Sequence, residues 1–257
     1  MDFRASVAAF RANPEVAGFI LDFDGTLSPI VLDPESAALV EGGRRVLSRL
    51  QAKFGLVAMV SGRRAEDLFA RVDVAGLAYL GLYGGEEYVA GKLVEHEGAS
   101  ALQTKASALA QAAETFLGES GLAGCRVEHK GAAVSVHFRS CPDPLVPGVL
   151  AAWAKTAATA NGFIVGLGRK VVELRPAEFS KALAAERLWV DHRLEYLFLA
   201  GDDSSDVEAM EAAGRFGAHV FRVGVVSDEA PPGLAENTEM VVGSPAELLE
   251  LLKGFAQ

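Results

Sequence analysis

Short runs of apolar residues recur along the first part of the chain, each followed by a stretch with apolar positions three and four apart. Phe19-Ile20-Leu21, Gly55 to Val60 and Leu77 to Leu82 are such runs, each closed by polar or glycine residues. Apolar throughout instead of alternating, they read as strands buried on both faces of a parallel sheet. Ala37 to Phe54 and about Ala65 to Val72 carry helical periodicity between them. The charged segment before Gly18 predicts a short amphipathic helix. Strand, helix and strand with short links is the rhythm of a doubly wound parallel sheet.

That rhythm then changes. Glu87 to Glu97 predicts a small hairpin with Ala90-Gly91-Lys92 at its turn. A helix over about 101–117 precedes strands at 124–130 and 133–139. A helix over about 145–160 precedes strands at 162–167 and 170–175. Two copies of helix–strand–strand predict an inserted α+β domain of roughly 75 residues. The first rhythm resumes with a helix at about 180–189, a strand at 196–200, a helix after Asp206, strands at 218–223 and 239–242, and a final helix. The expected fold class is α/β: a doubly wound, Rossmann-like core over 1–98 and 177–257, with an α+β cap over 99–176.

Composition narrows the class of partner. The 257 residues are 50% hydrophobic with mean hydropathy +0.22, as in a core domain carrying an insert. A formal net charge of −10 disfavours nucleic acid or an anionic membrane surface as partner. The N-terminal segment has no long apolar core, so neither signal peptide nor membrane span is expected there. Cys125 and Cys141 are too few for a disulfide framework and lack metal-site spacing, so they read as buried fillers in a reducing cytoplasm. A cytoplasmic monomer acting on a small molecule is the expectation.

Candidate chemistry sits at strand ends, where open α/β sheets bind ligands. Phe19 to Leu27 reads FILDFDGTL, an apolar run broken by two carboxylates one residue apart. Asp22 and Asp24 stand where the strand gives way to a turn and are not expected to act as interchangeable twins. One is then fitted to be nucleophile and metal ligand while the other handles protons. Gly25 permits a sharp turn, and N–H groups at such a turn suit an oxyanion. A plain turn after a strand has the same residues. Ser61 follows the second strand, placed to hold a phosphate or to cap the next helix. Lys181 opens the helix after the insert. Gly201-Asp202-Asp203-Ser204-Ser205-Asp206 follows the run YLFLA, and three carboxylates that close call for a cation or a lysine.

DFDGT, a serine after the second strand, a lysine and GDDSSD, in that order, resemble the four motifs of the haloacid dehalogenase superfamily of phosphohydrolases. The resemblance implies that Asp22 attacks phosphorus to give an aspartyl-phosphate. Asp24 then protonates the leaving oxygen and activates the water. It also implies Mg²⁺ held by Asp22, Asp202 and the Asp24 carbonyl, with Asp203 and Asp206 behind them positioning waters and Lys181. Gly25, Thr26, Ser61, Gly62 and Lys181 would bind the phosphate.

Substrate choice is expected on the insert. Glu128 and Lys130 share one side of their strand, as do Ser135, His137 and Arg139 on the next, and Glu173 and Arg175 on a third. Val134, Val136, Phe138, Val172 and Leu174 face the other way. This mixed polar face suits a polyol, though ordinary cross-strand pairs would look the same. VEHKGAAVSVHFR and GRKVVELRP are similar to two segments of the trehalose-6-phosphate phosphatases, and the likeness runs from Gly18 onward. It implies sugar contacts from Glu128, Lys130, Arg139 and Glu173. Ala182 stands after Lys181 where that family commonly has glycine, and Tyr83-Gly84-Gly85-Glu86 lacks its histidine. Ser204 to Glu208, SSDVE, stands where the family more usually has a threonine and further acids. The expected activity is Mg²⁺-dependent hydrolysis of trehalose 6-phosphate. Alternatives are a phosphatase for a sucrose, mannosylglycerate or glucosylglycerol phosphate, and a catalytically silent sugar-phosphate sensor.

Overall fold

Asp2 starts the fold: its carboxylate accepts from the Ala5 N–H at 2.8 Å and caps α1 (Phe3–Ala12). The structure is a computed structural model that describes residues 2–31, 33–168, 170–227 and 230–257, apart from the side chains of Pro34, Ala99, Ser100 and Lys130. Arg169 of the GRKVVELRP segment therefore lies outside the described residues. The chain divides into two compact units, Met1–Val94 with Ser180–Gln257, and Glu95–Phe179.

In the first unit, β1 (Ala17–Leu21), α2 (Gly43–Gln51), β2 (Leu56–Val60), α3 (Ala65–Val72) and β3 (Ala78–Gly81) follow in order. The hairpin is β4 (Glu86–Val89) and β5 (Lys92–Glu95), turned at Ala90 and Gly91, both with positive φ as a tight hairpin requires. The second unit holds α4 (Ala99–Glu119), β6 (Arg126–Lys130), β7 (Ala133–His137), α5 (Val146–Asn161), β8 (Phe163–Gly168) and β9 (Val171–Pro176). The first unit then resumes with α6 (Lys181–Asp191), β10 (Tyr196–Gly201), α7 (Ser204–Ala213), β11 (His219–Val225), β12 (Met240–Val242) and α8 (Pro245–Ala256).

The large sheet runs β12-β11-β10-β1-β2-β3-β4-β5, parallel from β12 to β3, with β4 antiparallel to β3. Both faces of β1 are buried, and neighbours in sequence serve different cores. Phe19 and Leu21 join Phe10, Leu47, Phe198, Leu252 and Phe255 on the side of α1, α2 and α8. Ile20 joins Ala184, Leu188, Ala209 and Ala213 on the side of α6 and α7. From β1 the chain builds outward through β2 on one side and returns through β10 on the other. The point where that order reverses therefore lies between the carboxyl ends of β1 and β10.

The second unit is a four-stranded antiparallel sheet, β6-β7-β9-β8. Val134, Val136, Val172 and Leu174 pack with Ala106, Leu109, Leu150 and Ala154 of α4 and α5, so the apolar face meets the helices as the alternation implies. Among the described residues no helix is long and apolar enough to cross a membrane.

Several element boundaries differ from expectation, and three of them have a plain reason or consequence. The helix expected over 37–54 begins only at Gly43, because Gly42 takes φ +80 and the Val40 N–H is drawn to the Leu27 carbonyl at 2.8 Å. The strand expected over 133–139 ends at His137, leaving Arg139 in the following turn. The helix expected after Asp206 begins at Ser204, which puts Asp206 inside its first turn.

Candidate active site

Two parallel strands end side by side and present one carboxylate each. Leu21 of β1 is in register with Ala200 of β10, and the Asp22 N–H continues the ladder to the Ala200 carbonyl at 3.0 Å. Asp22 is 5% exposed and Asp202 2%. Thr26, fully buried, turns its hydroxyl between them, 3.1 Å from Asp22 Oδ2 and 3.3 Å from Asp202 Oδ1. Gly25 makes that approach feasible. It has φ +82, and a Cβ there would lie 1.9 Å from Asp202 Oδ2, so every other residue is excluded by backbone and by space.

Lys181 comes from the first turn of α6, whose N-cap Ser180 accepts from the Leu183 N–H. Its ammonium is 4% exposed and lies 2.8 Å from Asp22 Oδ1, 2.8 Å from Asp206 Oδ1 and 3.7 Å from Asp203 Oδ1. Asp203 and Asp206 form a capping box on α7. Asp203 accepts from the Ser205 and Asp206 N–H groups, and Asp206 Oδ2 accepts from the Asp202 and Asp203 N–H groups at 2.9 and 3.1 Å. The helix cap therefore aims Asp206 at Lys181.

Burial and charge oppose each other throughout this cluster. Burial alone would strip the proton from Lys181, but Asp203, Asp206 and Asp22 hold it well above the ordinary lysine value. Burial raises Asp22, and Asp203 and Asp24 add to the rise while Lys181 resists it. Asp206 is likewise driven well up by burial and by Asp22 and Asp203. Burial would lift Asp203 too, yet Lys181 and hydrogen bonds from Ser205 and Asp206 hold it at about 2.

One ammonium does not neutralise this set, and the donors fit a hard cation. Oxygens of Asp22, Asp202 and Asp206 lie within 4.8 Å of one another, all three residues buried. Both Asp206 oxygens already accept from Lys181 or from backbone N–H groups. Asp22 and Asp202 are therefore the pair best suited to hold a metal directly.

Asp24 points elsewhere: β1 ends at Leu21, and the turn through Gly25 at φ +82 frees Asp24 from the shared face that two positions two apart on a strand would have. Its two oxygens accept from Arg63 Nε at 2.6 Å and Nη2 at 2.8 Å. Arg63 is braced in turn by Asp67 at 2.9 Å and stands over the Phe23 ring, 5.7 Å from its centroid. Burial works against the Arg63 charge, but Asp24 and Asp67 together raise its pKa. Nothing in the local sequence assigns Arg63 a role. Its i,i+4 spacing to Asp67 was visible, but its partner Asp24 is 39 residues away.

Two expectations are corrected here. The Gly25 N–H, expected to face an oxyanion, donates to the Ser28 carbonyl at 2.8 Å, and the Thr26 N–H to the Phe23 carbonyl at 3.2 Å. The turn closes on itself, so Thr26 offers its side chain. The alternative of Ser61 as helix cap also fails, because α3 starts at Ala65 and buried Glu86 accepts the Ala65 N–H at 2.6 Å. Ser61 Oγ instead accepts the Arg63 N–H at 3.2 Å, leaving its own proton to donate. The Ser61–Arg63 loop is clasped by Leu82 and Tyr83, both at positive φ, whose N–H groups donate to the Arg63 and Ser61 carbonyls. A Cβ on Gly62 would sit 2.9 Å from the Tyr83 hydroxyl.

In the second unit Glu128, Ser135, Glu173 and Gly166 stand in one row across all four strands. Ser135 Oγ donates to Glu173 Oε1 at 2.9 Å, and Glu128 Oε2 meets His137 Nε2 at 2.6 Å. Arg175 is buried and donates to the Phe179 carbonyl. The side chain of Lys130 lies outside the described ones, and Arg139 is half-buried in the turn after β7.

Comparison with known proteins adds a family. The trehalose-phosphatase family model matches residues 20–233. A Mycobacterium tuberculosis protein described as an uncharacterized glycosyl hydrolase is 40% identical over 205 residues, 75% of this chain and 15% of that protein. A trehalose-phosphate phosphatase of the same organism is 33% identical over 245 residues, 92% of this chain and 60% of that protein. The chain thus spans less than two thirds of either relative. The C-terminal domain of Candida albicans trehalose-6-phosphate phosphatase shares the fold, with TM-score 0.80 at 20% identity, covering 100% of this chain and 97% of that one.

Proposed function

The chain belongs to the trehalose-phosphatase family, and on that premise we propose that it hydrolyses trehalose 6-phosphate to trehalose and inorganic phosphate, using Mg²⁺ and an aspartyl-phosphate on Asp22. The observation that carries this reading is the setting of Asp22. One of its oxygens is fixed by Lys181, and the other shares the Thr26 hydroxyl with Asp202. A carboxylate so held has its attacking oxygen oriented before substrate arrives.

Asp22 and Asp202, with the Asp24 carbonyl, are the residues that would hold the cation. Mg²⁺ bound there supplies the positive charge that lets a dianionic phosphate approach a carboxylate. Lys181 supplies a second positive charge, at Asp22 Oδ1, and Ser61 Oγ with the Gly62 N–H offers donors to the phosphate. Asp22 attacks phosphorus, the bond from phosphorus to the sugar oxygen breaks, and Asp24 in its protonated form gives that oxygen its proton. Asp24 then takes a proton from the water that cleaves the acyl phosphate. Arg63 holds Asp24 for that work by two parallel hydrogen bonds. Glu128, Lys130, Arg139 and Glu173 are assigned to the sugar.

Asp24→Asn is expected to lower turnover by about 10²–10⁴-fold, as for loss of a general acid–base group. Arg63→Ala should cost roughly tenfold or more through misplacement of Asp24 alone. Arg63→Lys should restore only part, since an ammonium lacks the planar fork. Steady-state phosphate release measures all three, and an Asp24→Asn enzyme with unaltered turnover would sink the assigned role.

A further inference from the structure

We propose that Cys125 and Cys141 form an oxidisable pair, which hydrogen peroxide converts into an intrachain disulfide closing the open end of the β6–β7 hairpin. The two free thiols are half-buried, and their sulfurs lie 2.9 Å apart. That is roughly 0.9 Å beyond the length of a bond, a gap that small side-chain rotations close.

The backbone builds this contact. Cys125 stands directly before β6, and the Arg126–His137 pairing fixes the strand ends beside it. Beyond β7 the chain folds back, with the Cys141 N–H donating to the Phe138 carbonyl at 3.0 Å. Cys141 Sγ donates to the Ala123 carbonyl at 3.0 Å. Gly124 has φ +91, and a Cβ there would lie 2.7 Å from the Ser140 carbonyl oxygen and 3.5 Å from Cys141 Sγ. The turns before β6 and after β7 therefore touch at a place only glycine permits. Inert buried fillers would need neither this approach nor half-exposure.

Burial, with the adjoining Cys141 thiol, pushes Cys125 up to about 12, so it keeps its proton. Either thiol can be oxidised first. When it is Cys141, its sulfur attacks one peroxide oxygen, the O–O bond breaks, and a sulfenic acid and water form. Cys125 sulfur then attacks the sulfenic sulfur. The S–S bond forms, the S–O bond breaks, and the leaving hydroxide departs as water with the Cys125 proton. Two thiols and one peroxide give one disulfide and two waters; the sulfurs lose two electrons and the peroxide oxygens gain them. The closed loop contains β6 and β7, which carry Glu128, Ser135 and His137, so the bond stiffens the polar row of this unit.

The test treats the full chain with hydrogen peroxide, blocks remaining thiols with iodoacetamide and digests with trypsin without reductant. Arg126, Lys130 and Arg139 lie between the cysteines, so cleavage puts them on separate peptides that only a disulfide joins. The expected result is peptide 106–126 linked to peptide 140–155, released by dithiothreitol, with an intact mass about 2 Da lower before digestion. Melting temperature should rise by about 5 °C on oxidation and fall back on reduction. Alkylation of both thiols after peroxide, sulfinic acid without a link, or a link between two molecules would overturn the proposal. So would a link that leaves melting unchanged, since that bond would not belong to the native hairpin.

Discussion

Asp22→Asn should abolish phosphate release, by about 10⁴-fold or more, while leaving the protein folded. Loss of a covalent nucleophile is among the costliest single changes an active site suffers. The amide keeps the shape of the carboxylate and removes the oxygen nucleophile. Stability should move the other way. Burial already raises Asp22, and Asp203 and Asp24 repel its charge, so a neutral side chain relieves that crowding. Lys181 keeps Asp206 at 2.8 Å and is not orphaned. Melting of the metal-free variant should therefore be no lower than that of the parent. A variant that melts normally and still releases phosphate at a tenth of the parent rate would remove Asp22 from the nucleophile's role.

Lys181→Met should cost both activity and fold. The ammonium is 4% exposed and faces carboxylates of Asp22, Asp206 and Asp203. Removing one partner of a buried ion pair costs about 3–5 kcal/mol, which for a chain of this size lowers melting by roughly 10 °C. Turnover should fall by about 10³-fold, because a principal electrostatic donor to the reacting oxygens is lost. The pH dependence has a definite sign. The folded state holds the Lys181 proton well above 10.5, where the unfolded chain releases it. Its contribution to stability is complete below about 10.5 and fades as pH rises through the folded value. The melting gap between parent and variant should therefore narrow only in strong alkali. A gap that is constant through alkaline pH would show that the lysine is not the paired ammonium described here.

The carboxyl ends of the strands were legible because short apolar runs broken by Asp22 and by Gly201-Asp202 are strong local signals. The polar row of the second unit was legible for the same reason, since period-two alternation puts Glu128, Ser135 and Glu173 on one face. What escaped depended on partners distant in the chain or on the detail of a turn. Lys181 read alone is an ordinary surface lysine; the order of the four motifs placed it at the site, while its burial against Asp22 and Asp206 comes only from the fold. Arg63 was passed over because Asp24 is distant along the chain. The start of α7 was misjudged because Asp203 to Asp206 has loop-forming composition, although Asp203 with Asp206 at the third helical position is a capping box. The Gly25 and Thr26 N–H groups were misassigned because the turn after β1 satisfies its own hydrogen bonds.

The most direct test of the central claim is phosphate release, with Mg²⁺ and with EDTA, from trehalose 6-phosphate, sucrose 6-phosphate and glucose 6-phosphate. The proposed function predicts strong release from trehalose 6-phosphate that EDTA abolishes, with the other two nearly inert. Equal or faster release from another ester would keep the Asp22 chemistry and contradict the substrate. Release from none of them would contradict the hydrolytic reading itself.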